Sequence, residues 1–284
     1  MEDTVTNPDR RTFGVSAGTI SYIDQGAGDP VVFVHGNPSS SSEFLPAIAG
    51  LSATHRCLAM DHIGFGQSDK PPAWDYLPKS HAENAAQLLD SFDLQNVTMV
   101  VGDWGGPIGL SWALANPSRM RSVIITNSWL WPVNRSLYYQ GFSKFTGGPI
   151  GRMLTTRYNF FARQVTKRAW GSAVPLTPEI YAGFTEVHPR ADERKGMWVF
   201  PREIIGSTAW LAALWEQRRV LDDIDITLLW GMKDIAFRAD ILDTWQREFE
   251  HARAIRLDTV GHFPAREAPE QLISAIQDQS TRKA

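Results

Sequence analysis

The chain of 284 residues contains a single cysteine, Cys57. No intrachain disulfide can form, which fits a reducing compartment. No apolar run approaches the roughly 20 residues that span a bilayer. Residues 1–11 are polar and lack the apolar stretch of a signal peptide, so the expected location is the cytoplasm. The net charge of −3 is too small to point to nucleic acid or an anionic membrane surface. Internal repeats and low-complexity tracts are also missing. Hydrophobic residues, by contrast, make up 43% of the chain, enough for a large core in one domain with an insertion or in two domains.

Short β-branched and apolar runs recur along the chain. Residues 12–15 and 19–24 flank a Gly-containing turn and read as a hairpin. Residues 31–34, 56–60, 97–101, 123–126 and 226–230 read as strands covered on both faces. Helical patterns lie between several of them. Residues 80–92 carry Ala and Leu at helical spacing. Residues 107–115 open with Pro107 and stop before Asn116-Pro117. Strands alternating with helices imply a mostly parallel α/β sheet. The alternation breaks from about 131 to 215, a stretch rich in aromatics, Arg, Gly and Pro, with helical pieces at 158–170 and 204–215. This stretch reads as a helical cap inserted into a core formed by 12–130 and 216–282.

The segment Gly102-Asp103-Trp104-Gly105-Gly106 lies where a strand ends and a helix begins. It has the form of a nucleophile elbow, in which glycines allow a tight turn and close helix packing. Such a turn pushes Asp103 out at the carboxyl end of the sheet, beside a helix N-terminus that favours an ionised carboxylate. Taken alone, Asp103 reads equally well as a helix N-cap. Two further pieces favour chemistry. Asp234 in GMKD follows the 226–230 strand, and His262 in GHFP sits in a loop before a C-terminal helix starting near Pro269. The order of nucleophile, acid and His is that of the α/β-hydrolases. His35-Gly36-Asn37-Pro38 follows the 31–34 strand, where that fold supplies a backbone oxyanion donor. His35, Asp61 and Ser68 read as structural residues.

These motifs carry a resemblance. From about residue 12 to 279 the chain is similar to the haloalkane dehalogenases of the α/β-hydrolase superfamily, through HGNP at 35–38, GDWGG at 102–106, GMKD at 231–234 and GHFP at 261–264. The resemblance implies hydrolysis of a haloalkane to an alcohol, halide and a proton. Asp103 would be the nucleophile, His262 the general base and Asp234 the acid that orients it. The side chains of Asn37 and Trp104 would bind halide, and their backbone N–H groups would form the oxyanion hole. Some dehalogenases place a Glu after the strand that precedes the cap. Residues 125–132 hold no carboxylate, which leaves Asp234 and resembles the Asp–His–Asp subgroups. Some members use a cap Trp as second halide donor; Trp170, Trp198 and Trp210 lie in the presumed cap, but Asn37 argues against that arrangement. The reading includes no metal and no cofactor. Its partners are a small halogenated aliphatic substrate, water and product halide, with no nucleic acid and no membrane.

The chemistry suits these residue types. A carboxylate with a reference pKa of about 3.9 is ionised at neutral pH and attacks a saturated carbon without a base. Neutral N–H donors stabilise a departing halide as an oxyanion hole stabilises an alkoxide. Epoxide hydrolases share the Asp–His–acid triad and are the alternative. They need a proton donor for the alkoxide, commonly cap tyrosines, and Tyr138, Tyr139, Tyr158 and Tyr181 lie in the presumed cap. Their H-G-x-P motif usually carries an aromatic where this chain has Asn37. Fluoroacetate dehalogenases typically carry Arg after the nucleophile, where Trp104 stands. A non-catalytic receptor on the same fold would not need the triad.

Overall fold

The computed structural model describes residues 9–281. The expectation about residues 1–11 therefore falls largely outside the described residues. Eight strands form one sheet: β1 (Arg10–Val15), β2 (Gly18–Gln25), β3 (Pro30–Val34), β4 (Arg56–Met60), β5 (Val97–Gly102), β6 (Met120–Thr126), β7 (Asp225–Gly231) and β8 (Arg253–Leu257). The order across the sheet is β1-β2-β4-β3-β5-β6-β7-β8. β1 and β2 form the antiparallel hairpin, β2 joins β4 antiparallel, and all other pairs are parallel.

The central strands are apolar throughout because helices cover both faces. Side chains alternate between two buried layers. On β3, Val32 and Val34 enter one layer with Met99 and Val101 of β5. Val31 and Phe33 enter the other with Val100 and the helix Leu45–Leu51. Among the described residues no helix is long and apolar enough to cross a membrane.

Between β6 and β7 the described residues form helices and no strand. Two expected helices break. The 158–170 piece is interrupted at Asn159, which adopts a left-handed conformation at φ 54° and ends the helix Pro149–Tyr158. Asn tolerates that conformation better than most residues. A π-helical turn, Phe161–Val165, then leads into Thr166–Ala169. The 204–215 piece divides at Ser207 into Lys195–Gly206 and Thr208–Glu216. The helix after β5 starts at Gly105, two residues before Pro107. β8 carries no apolar run because it is an edge strand with Arg253 and Arg256 exposed.

Beneath this helical layer lie four buried histidines, His35, His62, His81 and His188, among Phe65, Tyr76 and Phe200. The His62 backbone N–H donates to His35 Nε2 at 3.0 Å, so His35 Nδ1 carries the proton and donates to the Gly36 carbonyl at 2.8 Å. Asp61 accepts from the Ser41 and Gln67 backbone N–H groups and from Arg10, while Ser68 donates to the Asp61 carbonyl. These residues hold loops together, in line with their structural reading.

Burial pushes the His35 pKa down to about 3 and that of His188 to about 4, and holds His62 and His81 well below the ordinary imidazole value. All four are neutral when folded and can protonate when unfolded. Their contribution is therefore complete above the unfolded value of about 6.5 and declines as pH falls below it. At pH 5 the neutral imidazoles of His35 and His188 each cost about 2 kcal/mol, offset in part by Glu43, whose raised pKa acts in the opposite direction. We expect stability to fall between about pH 6.5 and 4 with uptake of several protons. Urea unfolding at stepped pH measures this; a stability flat down to pH 4 would contradict it.

Candidate active site

Asp103 follows β5 with φ +49°, in the left-handed region that non-glycine residues rarely occupy. The turn is held by its neighbours. The Asp103 backbone N–H donates to the Asn127 carbonyl at 3.1 Å, and Ser128 Oγ donates to the Asp103 carbonyl at 2.6 Å. The glycines matter for close approach. A side-chain carbon at Gly105 would overlap the Val34 carbonyl, and one at Gly106 would overlap Ser128 Oγ.

The structure brings Asp103, Asp234 and His262 together. His262 Nδ1 lies 2.8 Å from Asp234 Oδ2, and His262 Nε2 lies 3.6 Å from Asp103 Oδ2. With Nδ1 donating to the carboxylate, Nε2 faces Asp103 and whatever is attached to it. The Asn37 backbone N–H donates to Asp103 Oδ1 at 2.8 Å, and the Trp104 backbone N–H also bonds this carboxylate. Both backbone groups assigned from sequence to the oxyanion hole thus meet the Asp103 carboxyl.

Burial raises the Asp103 carboxyl above the ordinary carboxylate value, against the charge of His262 and the two backbone N–H groups, which lower it. For His262, burial lowers the imidazole pKa. The charge and hydrogen bond of Asp234, with Asp103 and Glu43, outweigh that and hold it up at about 9. The imidazole is therefore protonated at neutral pH. Removing the Asp103 charge lowers its pKa and frees a base.

Two residues missed in the sequence hold this arrangement. Asn127, at the end of β6, donates to Asp234 Oδ2 at 2.9 Å and to the Gly231 carbonyl at 3.0 Å, and accepts from the Gly231 N–H at 2.7 Å. It occupies the strand end where some dehalogenases place a Glu, and here its amide supports Asp234 instead. Glu267 is buried and accepts from the backbone N–H groups of Gly171, Gly261 and Phe263, clamping the His262 loop. The signal for it was a Glu inside the GHFPARE segment, with nothing in its spacing to mark burial.

Over Asp103 lies an apolar pocket floored by Asn37, Trp104 and His262 and roofed by Phe142, Phe161 and Ile204. Trp170, Trp198 and Trp210 do not line it. The Trp170 indole donates to the Val174 carbonyl, and Trp198 packs under Arg152 and Arg202. Of the four tyrosines, Tyr138 and Tyr139 line the pocket, with hydroxyls donating to the Ile235 and Ala236 carbonyls. Tyr158 is exposed, and Tyr181 donates to the Arg163 carbonyl. The Trp104 indole N–H donates to the Phe200 carbonyl at 3.1 Å, and the Asn37 amide faces the Met197 carbonyl at 3.4 Å. Both acceptors belong to the helix Lys195–Gly206, in which Pro201 has no N–H to offer Met197. Among the described residues no group of three His, Cys, Asp or Glu side chains is placed to hold a metal ion.

Comparison with known proteins identifies the family. The model of the α/β hydrolase fold family matches residues 29–269. Haloalkane dehalogenase 2 of Mycobacterium tuberculosis is 32% identical over 268 residues, covering 94% of this chain and 93% of its own. A cis-3-alkyl-4-alkyloxetan-2-one decarboxylase of Shewanella oneidensis is 27% identical over 310 residues, covering 98% and 90%. The crystal structure of haloalkane dehalogenase DatA from Agrobacterium tumefaciens C58 matches with a TM-score of 0.86 at 27% identity, covering 99% of both chains. The chain thus belongs to the α/β-hydrolases and, within them, to the haloalkane dehalogenase family.

Proposed function

We propose that this protein hydrolyses haloalkanes in two steps through an alkyl ester on Asp103. The observation that carries this reading is the Asp103 carboxylate held between two backbone N–H groups and His262 at the floor of an apolar pocket. In the first step an Asp103 oxygen attacks the carbon bearing halogen, and halide leaves with the bonding pair. Trp104 Nε1 and Asn37 Nδ2 donate to that halide. To do so they exchange the carbonyls of Phe200 and Met197 for the ion, so halide binding competes with cap contacts and release is eased. The 131–215 segment acts as the cap that closes the pocket and excludes water.

In the second step, loss of the Asp103 charge lowers His262, which takes a proton from water as that water attacks the ester carbonyl. Asp234 holds the imidazolium, and the Asn37 and Trp104 backbone N–H groups receive the oxyanion. The geometry supports this better than epoxide opening. Tyr138 and Tyr139 are sequence neighbours whose hydroxyl protons are engaged by backbone carbonyls, and Tyr158 and Tyr181 lie outside the pocket.

His262→Gln should release about one equivalent of bromide from a short dibromoalkane and then stall, with the alkyl ester on Asp103 detectable by mass spectrometry. Continued turnover at the wild-type rate would overturn the role of His262. Trp104→Phe should slow the bromide burst by roughly 10²–10³, the scale of losing one preorganised donor. Rapid-quench bromide assay reads this, and an unchanged burst would remove Trp104 from halide binding.

A further inference from the structure

A second, smaller hollow adjoins the pocket. Both spaces are lined by Asp103 and His262, but the smaller one is polar and adds Ser39 and Glu43. Its size is on the scale of one water molecule. Glu43 sits in the short 3₁₀ turn Ser41–Phe44 that follows the HGNP loop. It is 8% exposed, and its Oε2 accepts a short hydrogen bond from Ser39 Oγ. Arg266 and His262 face it, but it forms no ion pair with Lys or Arg among the described residues.

A buried carboxyl with so few partners is costly unless something uses it. Glu267 provides the contrast. That carboxylate is also buried and accepts three backbone N–H groups, so its acceptor capacity serves the loop. Glu43 has only the Ser39 hydroxyl, and its remaining capacity faces the hollow that touches Asp103 and His262. A water there has the two to four polar partners that an internal water needs.

We propose that Glu43, tethered by Ser39, holds the water that hydrolyses the Asp103 ester. This deepens the two-step reading above and rests on it. The water oxygen bonds to Asp103 Cγ while one of its protons passes to His262 Nε2. The tetrahedral intermediate then collapses, the bond from Cγ to the alkyl oxygen breaks, and that oxygen takes the proton from His262 to give the alcohol. The second water proton leaves as Asp103 ionises. Glu43 accepts a hydrogen bond from the water throughout and forms no covalent bond.

Burial holds the Glu43 carboxyl up at about 7, against Ser39, His262 and Arg266, while the charge of Asp103 adds to the rise. Glu43 therefore titrates near neutral pH, and in its ionised form it is an acceptor for the water's hydrogen bond.

The test separates the two half-reactions. The wild type, Glu43→Gln and Ser39→Ala are mixed with 1,2-dibromoethane, and the bromide burst and the decay of the Asp103 ester are followed by rapid quench and mass spectrometry. For Glu43→Gln we expect a burst rate within about twofold of wild type and ester decay slowed roughly tenfold to a hundredfold, the scale of misplacing one reactant. Ser39→Ala should slow the same step by a smaller factor, and it carries the test if Glu43→Gln does not fold. The wild-type decay rate should rise with pH through the ionisations of both Glu43 and His262, and Glu43→Gln should retain only the His262 limb. Equal losses in both steps, or no loss in either, would overturn the role of Glu43. A wild type that gives neither burst nor ester would instead sink the dehalogenase reading itself.

Discussion

The site depends on one electrostatic arrangement, an imidazolium held between two carboxylates at the edge of an apolar pocket. Asp103 is buried enough for its carboxyl to be raised, and it stays usable because His262 and two backbone N–H groups offset the desolvation. His262 is itself held up at about 9 chiefly by Asp234, which overcomes the burial that would lower it. On the proposed mechanism, the order of events follows from that balance. While Asp103 is anionic, the imidazole carries a proton and Asp103 attacks carbon unaided. Once Asp103 is esterified, one anion is gone, the imidazole becomes a base, and water can be activated. On that proposal a carboxylate nucleophile and a His base take turns.

The covering helix Lys195–Gly206 belongs to the segment proposed as the cap. Pro201 lines the pocket and removes one backbone donor from the helix. The carbonyls of Met197 and Phe200 meet the Asn37 amide and the Trp104 indole N–H. The donors proposed for halide therefore also hold the helix Lys195–Gly206. On the proposed mechanism, an ion arriving between them loosens that helix, and its departure restores the contact. Halide affinity and cap docking are linked in sign, since strengthening one weakens the other.

Much of this was legible in the sequence because the strand exits are written locally. Asp103 stood in a glycine-flanked elbow, Asp234 just past an apolar strand and His262 in a Gly-Pro loop; each signal depends on turn chemistry within a few residues. The sheet was legible for a similar reason, since its central strands are covered on both faces. What could not be read depends on distant contacts. Asn127 supports Asp234 across 107 positions of sequence, and nothing local distinguishes it from any turn asparagine. Glu43 and Glu267 look like ordinary surface acids until the fold buries them. β8 carries Arg253 and Arg256 among its apolar residues because it closes the sheet edge. The 158–170 helix breaks at a single left-handed Asn159, which helical periodicity does not reveal.

The central claim is that carbon bonds first to the protein and only later to water. Single-turnover reaction of excess enzyme with a haloalkane in oxygen-18 water tests it most directly. An ester on Asp103 hydrolysed at its carbonyl leaves the heavy oxygen in the Asp103 peptide, and the alcohol of that first turnover carries ordinary oxygen. Heavy oxygen in the alcohol, with an unlabelled Asp103, would show direct attack by water on the substrate and contradict the account.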